Sequence, residues 1–376
     1  MKKALSIIFL LQITICFAQA PEKIYGKNKV LHSNEYYLEQ KELLKKETEK
    51  DPENANAWYN YYRADRNAYI VGEETDSLNT KGVNRFSRLQ KIVDEMEKNV
   101  PQSAEFYFVK WLNANNDQKQ QFCIEKAYEL SPNWPEPMIG LMYSYEIMGN
   151  DDLRDKFAKR YYDSGDFSTG LLSYGGNLLN GLDDNAIILT EGDKDTDAIM
   201  LLQHGKGARK DVQLINLNLL MQKDYRDRIF KKLDIPAWDN DPYKNDESYE
   251  FYRKNIILHI AKNRSNRPLY AATSVSDPYT KGPANPYLYN AGLAKRFSTE
   301  KPDRIALIEK SFAVYDLSFL LNYPPGDVSE EMVHRFNMNY LPALQELIAS
   351  YQKKNDPRAA KYMAIADKLR ADSPDK

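Results

Sequence analysis

Cysteine is almost missing from this chain: Cys16 and Cys123 are its only two in 376 residues. Removal of an N-terminal leader would leave Cys123 alone, so no internal disulfide framework is available. Histidine is scarce too. His32, His204, His259 and His334 are scattered, and none has a His, Cys or Asp set at ligand spacing, which leaves a zinc site unsupported. An excess of charge is also lacking, since 52 basic residues face 54 acidic ones for a net charge of −2. Such a balance gives no electrostatic case for nucleic acid or for an anionic membrane surface. Beyond the N-terminus no apolar run reaches about 18 residues, so a mature chain without a transmembrane segment is expected. Gly-x-Ser-x-Gly elbows and Walker loops are absent, and no cofactor is expected.

What is present begins with a leader. Residues 1–3 are a basic n-region, "ALSIIFLLQITICF" an apolar h-region, and "AQA" ending at Ala20 a small-residue cleavage site. Cys16 invites a lipoprotein reading, but Ile15 stands where lipoprotein processing wants a small residue. Export as a soluble protein, with cleavage near Ala20, is the expectation: periplasm or cell surface of a bacterium. Tyrosine is unusually frequent, with 27 copies, many in apolar-periodic segments where a ring packs and its hydroxyl stays wet.

Residues 21–180 have a helical pattern. "DPENANAWYNYYRA", "VPQSAEFYFVKWLNA" and "SPNWPEPMIGLMYSYEIMG" each set a proline and a short polar start before an aromatic-rich helix. A more charged helix usually follows. These units resemble tetratricopeptide repeats through Trp58 and Tyr62, through Gly140, Leu141 and Tyr143, and through the closing "AYELSP" of residues 127–132. Proline spacings of 31 and 49 residues (Pro101 to Pro132, Pro52 to Pro101) depart from the usual period of about 34. An insertion at residues 71–82 accounts for the longer gap. The resemblance implies stacked helix pairs whose aromatics, among them Trp58, Tyr62, Trp111 and Tyr143, are candidates for binding a partner on a concave face.

At residue 181 the texture changes. "AIILT" (186–190) and "VQLINLNLL" (212–220) are β-prone runs with a helix between them, and a further strand is expected within 267–276. Residues 181–300 should therefore form a small α/β domain of about three parallel strands. Amphipathic helices follow in residues 301–376. The expected fold is mixed: an α-helical repeat array, then a small α/β domain with a mostly parallel sheet, then a C-terminal helical pair.

Within the α/β part, "TEGDKDTD" places Glu191, Asp193, Asp195 and Asp197 at the end of the first strand. These four are candidate ligand- or metal-binding residues, the metal unspecified. An EF-hand is ruled out, because loop positions 6 and 12 would be Ala198 and His204. Glu191, Gly192 and Asp195 look like the first half of a Toprim motif. Its second half is missing, as Asn216-Leu217-Asn218 lacks the carboxylates a Mg²⁺ pair needs. Asp193-Lys194-Asp195 matches the Asp-x-Asp of nucleotide-sugar transferases, a weak motif alone. Against these stands a structural reading, in which Asp195 or Thr196 caps a helix starting near Asp197 and the acids complement its dipole. The loop "GKGARK" (205–210) divides likewise between anion binding through lysines and amides and a solvated helix-to-strand turn.

Over residues 182–297 the chain resembles the soluble C-terminal portion of a family of large bacterial membrane proteins with a protein O-mannosyltransferase-like multispan region. The shared features are the turn Gly192-Asp193-Lys194-Asp195-Thr196, then Arg209-Lys210-Asp211-Val212, then Asn216-Leu217, with "NRPLYAATSVS" and "YNAGLAKRF" later. No multispan region is present, so the resemblance implies an accessory domain and not a transferase. The expected function is a non-enzymatic interaction or assembly module with an envelope protein partner. The alternative is a role in envelope glycosylation, with Asp193 and Asp195 on a metal or sugar phosphate.

Overall fold

The computed structural model describes residues 20–75, 85–114, 117–323 and 326–373. The leader up to residue 19, Cys16 with it, and most of the 71–82 insertion lie outside the described residues. Two compact units divide the chain. One comprises residues 32–100 with the piece ending at Ile24, and the other comprises residues 25–31 and everything from Pro101 on.

In the first unit α1 (Asn34–Lys50) and α2 (Ala55–Thr75) form a pair, followed by α3 (Arg85–Asn99). Ser33 caps α1 by accepting the Tyr36 N–H, and Asn54 starts α2 by accepting the Ala57 N–H at 3.0 Å. Leu89, Ile92, Val93 and Met96 of α3 are all buried, the i, i+3, i+4, i+7 stripe of a core-facing helix.

The second unit continues the pairing with α4 (Ala104–Asn113), α5 (Gln121–Leu130), α6 (Pro135–Met148) and α7 (Asp151–Asp163), then α8 (Thr169–Asn180). Trp111 and Ile124 close on α6 at Gly140. A Cβ there would lie 2.4 Å from Ile124 and 2.8 Å from Trp111, which is why a glycine occupies the position. The sheet follows: β1 (Ile187–Thr190), α9 (Asp193–Met200) with a π-turn Leu201–Gly205, β2 (Gln213–Asn216), α10 (Lys223–Lys232), α11 (Asp246–Asn263) and β3 (Leu269–Ala272). After the short α12 (Asp277–Thr280) come β4 (Leu288–Asn290) and β5 (Ala294–Phe297).

Strand order is β2-β1-β3-β5-β4. The three expected strands are parallel, with Ile187 opposite both Gln213 and Leu269. An antiparallel hairpin, β4–β5, extends the sheet beyond that expectation, so it is mixed and five-stranded. β1 lies between β2 and β3 and is fully buried, which explains its unbroken apolar run. Helices α13 (Arg304–Phe312), α14 (Ser318–Leu321), α15 (Glu330–Asn337), α16 (Leu341–Lys353) and α17 (Arg358–Ala371) complete the unit. α16 and α17 form the C-terminal pair, and Leu344, Leu347, Ile365 and Leu369 share one apolar core with the strands. Each such buried leucine contributes about 2 kcal/mol. No helix among the described residues is long and apolar enough to cross a membrane.

Candidate functional site

The order β2-β1-β3 makes the chain leave β1 toward one neighbour and return from β2 past β1 to the other, so β1 and β3 flank the switch point of the sheet. The acidic turn lies at that end. Gly192 is extended (φ −87, ψ 170) and α9 begins at Asp193 with no side-chain cap. This corrects the expectation that Asp195 or Thr196 caps a helix starting near Asp197: both residues lie inside the helix. The first-turn Thr196 N–H is answered from within the helix by the Asp195 carboxylate at 2.9 Å, while the Thr196 hydroxyl donates back to the Gly192 carbonyl at 2.6 Å. With that proton committed, Thr196 Oγ1 accepts from the Thr190 hydroxyl at 2.8 Å and from Asn216 Nδ2 at 2.8 Å. The ends of β1, α9 and β2 are thus tied at one atom.

The four carboxylates do not converge, and among the described residues no three His, Cys, Asp or Glu side chains gather to hold a metal ion. Glu191 turns toward the segment after β3, accepting from the Ser276 N–H at 2.7 Å and the Ser276 hydroxyl at 3.0 Å, with Arg253 at 3.5 Å. Asp193 is exposed. Asp195 is 1% exposed and accepts from the Ser274 hydroxyl and, at 2.9 Å, from the Thr196 N–H. Burial pushes its carboxyl up to about 6, and those two hydrogen bonds pull against that rise. Asp197 is fully buried. It accepts from the Tyr143 hydroxyl and, at 3.5 Å, from Asn28 Nδ2. Burial first, then the charge of Asp193, raises it well above the usual carboxylate range. Among the described residues neither Asp195 nor Asp197 pairs with a cation. Hydroxyl and amide donors answer them, which suits carboxyls held partly protonated.

The candidate partner-binding aromatics are placed differently from the expectation. Trp58 and Tyr62 are buried in the first unit, and the Trp58 indole donates to the Pro52 carbonyl at 2.8 Å, locking the turn between α1 and α2. Trp111 is buried against α6. These three pack helices together because a large ring gains most when removed from water. Tyr143 is half-buried and serves Asp197; burial and the charges of Asp197 and Asp193 hold its phenol protonated well above the ordinary range. Sequence reasoning missed Ser274, Ser276, Arg253 and Asn28. Arg253 stands 62 residues from Glu191 and Ser274 stands 79 from Asp195, so no local pattern announces either contact.

Residues 171–248 match the family described as TMEM260-associated domain 2, a stretch that runs from α8 through β1, α9, β2 and α10 into α11. The chain is therefore similar to a membrane-protein-associated domain across the acidic turn and its surroundings. No curated protein matches the chain. Among solved structures, the crystal structure of the APC/C hetero-tetramer Cut9-Hcn1 aligns over 93% of this chain at 15% identity, with a TM-score of 0.29. The aligned part is 52% of that chain, so this protein spans about half its length. An overlap that low does not define a common fold.

Proposed function

We propose that the protein is an exported cell-envelope component that serves as a protein–protein interaction or assembly module and performs no catalysis. The observation that carries this reading is on the helix pairs: α5 turns Phe122 and Leu130 to solvent, 56% and 44% exposed. Large apolar side chains held out on a packed helix are the kind of surface a protein partner covers. Export is supported by the leader-like N-terminal sequence, and an envelope setting by the resemblance of residues 182–297 to the soluble part of the mannosyltransferase-like membrane family. A glycosylation role would need Asp193 and Asp195 to meet one metal or sugar phosphate. With Asp193 exposed and Asp195 buried on Ser274, no observation favours it.

The test is affinity capture from envelope extracts with residues 21–376 as bait. One partner should be recovered in stoichiometric amount, and Phe122→Glu should abolish that recovery. Failure to recover a stoichiometric partner, or equal recovery with the variant, would overturn the docking role. Saturable Mg²⁺ or Mn²⁺ binding by calorimetry, lost in Asp193→Asn/Asp195→Asn, would favour the glycosylation role.

A further inference from the structure

A cavity of about 270 Å³ opens between the α6–α7 pair, α10 and the outer edge of β2. Its charged lining is unevenly committed. Three carboxylates face it, Glu146, Asp151 and Asp155, and Arg154 engages all three. Arg154 Nη1 donates to Glu146 at 2.8 Å and Asp151 at 2.6 Å, while Nε and Nη2 donate to Asp155 at 2.9 and 2.7 Å. Arg228 is directed to main-chain carbonyls, those of Ile147 at 2.8 Å and of Glu146. His204 Nδ1 lies 2.9 Å from Asp155, and burial holds its pKa below the usual value, so the ring is neutral at pH 7. Lys210 and Lys232 remain. Both line the cavity, and among the described residues neither makes an ion pair.

Lys210 is held there by its loop. Gln203, from the π-turn, donates to the carbonyls of Arg209 at 2.9 Å and Val212 at 2.8 Å. Arg209 takes a left-handed backbone (φ 43) and clamps the Leu179 carbonyl at 2.7 Å and Asp211 at 2.9 Å. The segment "GKGARK" is therefore anchored at its end, and its last lysine is presented to the cavity. Met200, Leu214 and Ile229 supply an apolar wall.

We infer that this cavity binds a small organic anion, a carboxylate or phosphate monoester on an apolar body. Lys210 and Lys232 meet the charge, and Met200, Leu214 and Ile229 surround the body. The volume falls just short of the roughly 300–1,000 Å³ of drug-sized sites, so the ligand is metabolite-sized. This site goes beyond the docking role and does not depend on it.

Calorimetric titration of residues 21–376 with phenyl phosphate, phenylacetate and inorganic phosphate tests it. One or both aromatic anions should bind saturably at one site, and the tighter one identifies the charged group. Lys210→Gln/Lys232→Gln should weaken that binding at least about tenfold, the worth of one charge-assisted hydrogen bond. Lys206→Gln, in the same loop but outside the lining, should leave it unchanged. Absence of saturable binding at millimolar concentration, or equal affinity in the double variant, would overturn the site. Inorganic phosphate binding as tightly as phenyl phosphate would overturn the apolar half of the assignment. Both lysines are exposed, so circular dichroism should report an intact fold in every variant.

Discussion

At the start of α9, Asp195 and Asp197 are buried and met by Ser274, Thr196, Tyr143 and Asn28. Past its end, the π-turn runs beside a cavity where Lys210 and Lys232 have no ion pair among the described residues. In sequence the first place is the conspicuous one, with four acids in seven residues, and the second is an ordinary Gly/Lys loop. The fold reverses their standing. Density of charge along a chain says little about free charge in space, because donors arriving from distant elements decide what remains available. An acid-rich stretch that recruits two serines, a tyrosine, an arginine and amides of side chain and main chain is spoken for. A single lysine presented by an anchored loop is not.

The sharpest way to break this contrast is at the shared hydroxyl. Thr196→Val removes the acceptor of Asn216 and Thr190 together and should cost about 3 kcal/mol of stability in urea denaturation, since buried polar groups lose their partner. A loss below about 1 kcal/mol would mean that the three elements are not tied there.

Next is pH. Asp195 has a folded pKa raised above its unfolded value, so the folded state holds the extra proton between about 4 and about 6. Its contribution to stability therefore falls as pH rises through that window and is flat above it. Asp195→Asn should gain on the wild type by about 2 kcal/mol between pH 4 and pH 7 in parallel urea melts. A constant difference across that range would contradict the burial of a carboxyl that no cation among the described residues meets.

Tyr143→Phe leaves Asp197 with Asn28 alone and should cost about 1 to 2 kcal/mol by the same measurement. Lys210→Gln/Lys232→Gln marks the other limit. As exposed residues without an ion pair they should change stability by less than about 0.5 kcal/mol. A larger loss would show that the lysines already have a structural task and would erase the difference between the two ends.

Much of the fold was legible. The run at 186–190 holds the strand β1 and the first half of the run at 212–220 holds β2, its second half turning into a short 3-10 helix at Leu219–Met221, and the Pro- and Ser-marked helix starts are where they should be. β4 and β5 were not, because Leu288–Asn290 is only partly buried and Ala294–Phe297 carries Lys295 and Arg296. Short half-exposed strands have neither the length nor the alternation that would mark them. Of the site, the acids were legible and their partners were not, since the Ser276–Glu191 bond spans 85 residues. Aromatic frequency was legible too, but not its direction. Trp58, Tyr62 and Trp111 repeat along helices as surface residues of a groove would, and only packing decides that they turn inward. The anion-binding sense of residues 205–210 was weighed from its glycines and lysines, while the clamp by Arg209 depends on carbonyls about 30 residues back in the chain.

The end of α6 bears on when this protein can fold. Gly149 takes the left-handed conformation (φ 75) that closes the helix, and the Arg228 side chain lies across it, 3.0 Å from where a Cβ would be. That guanidinium caps the Glu146 and Ile147 carbonyls from 82 and 81 residues downstream. On the ribosome, α6 and α7 emerge long before α10 does. Until then the Ile147 carbonyl waits on water, while that of Glu146 has only the Gly149 N–H at 3.2 Å. The glycine closes the helix by itself, and the sheet-bearing part of the chain adds the last carbonyl partner late, so a nascent chain stalled before residue 228 would hold α6 with the Ile147 carbonyl still on water.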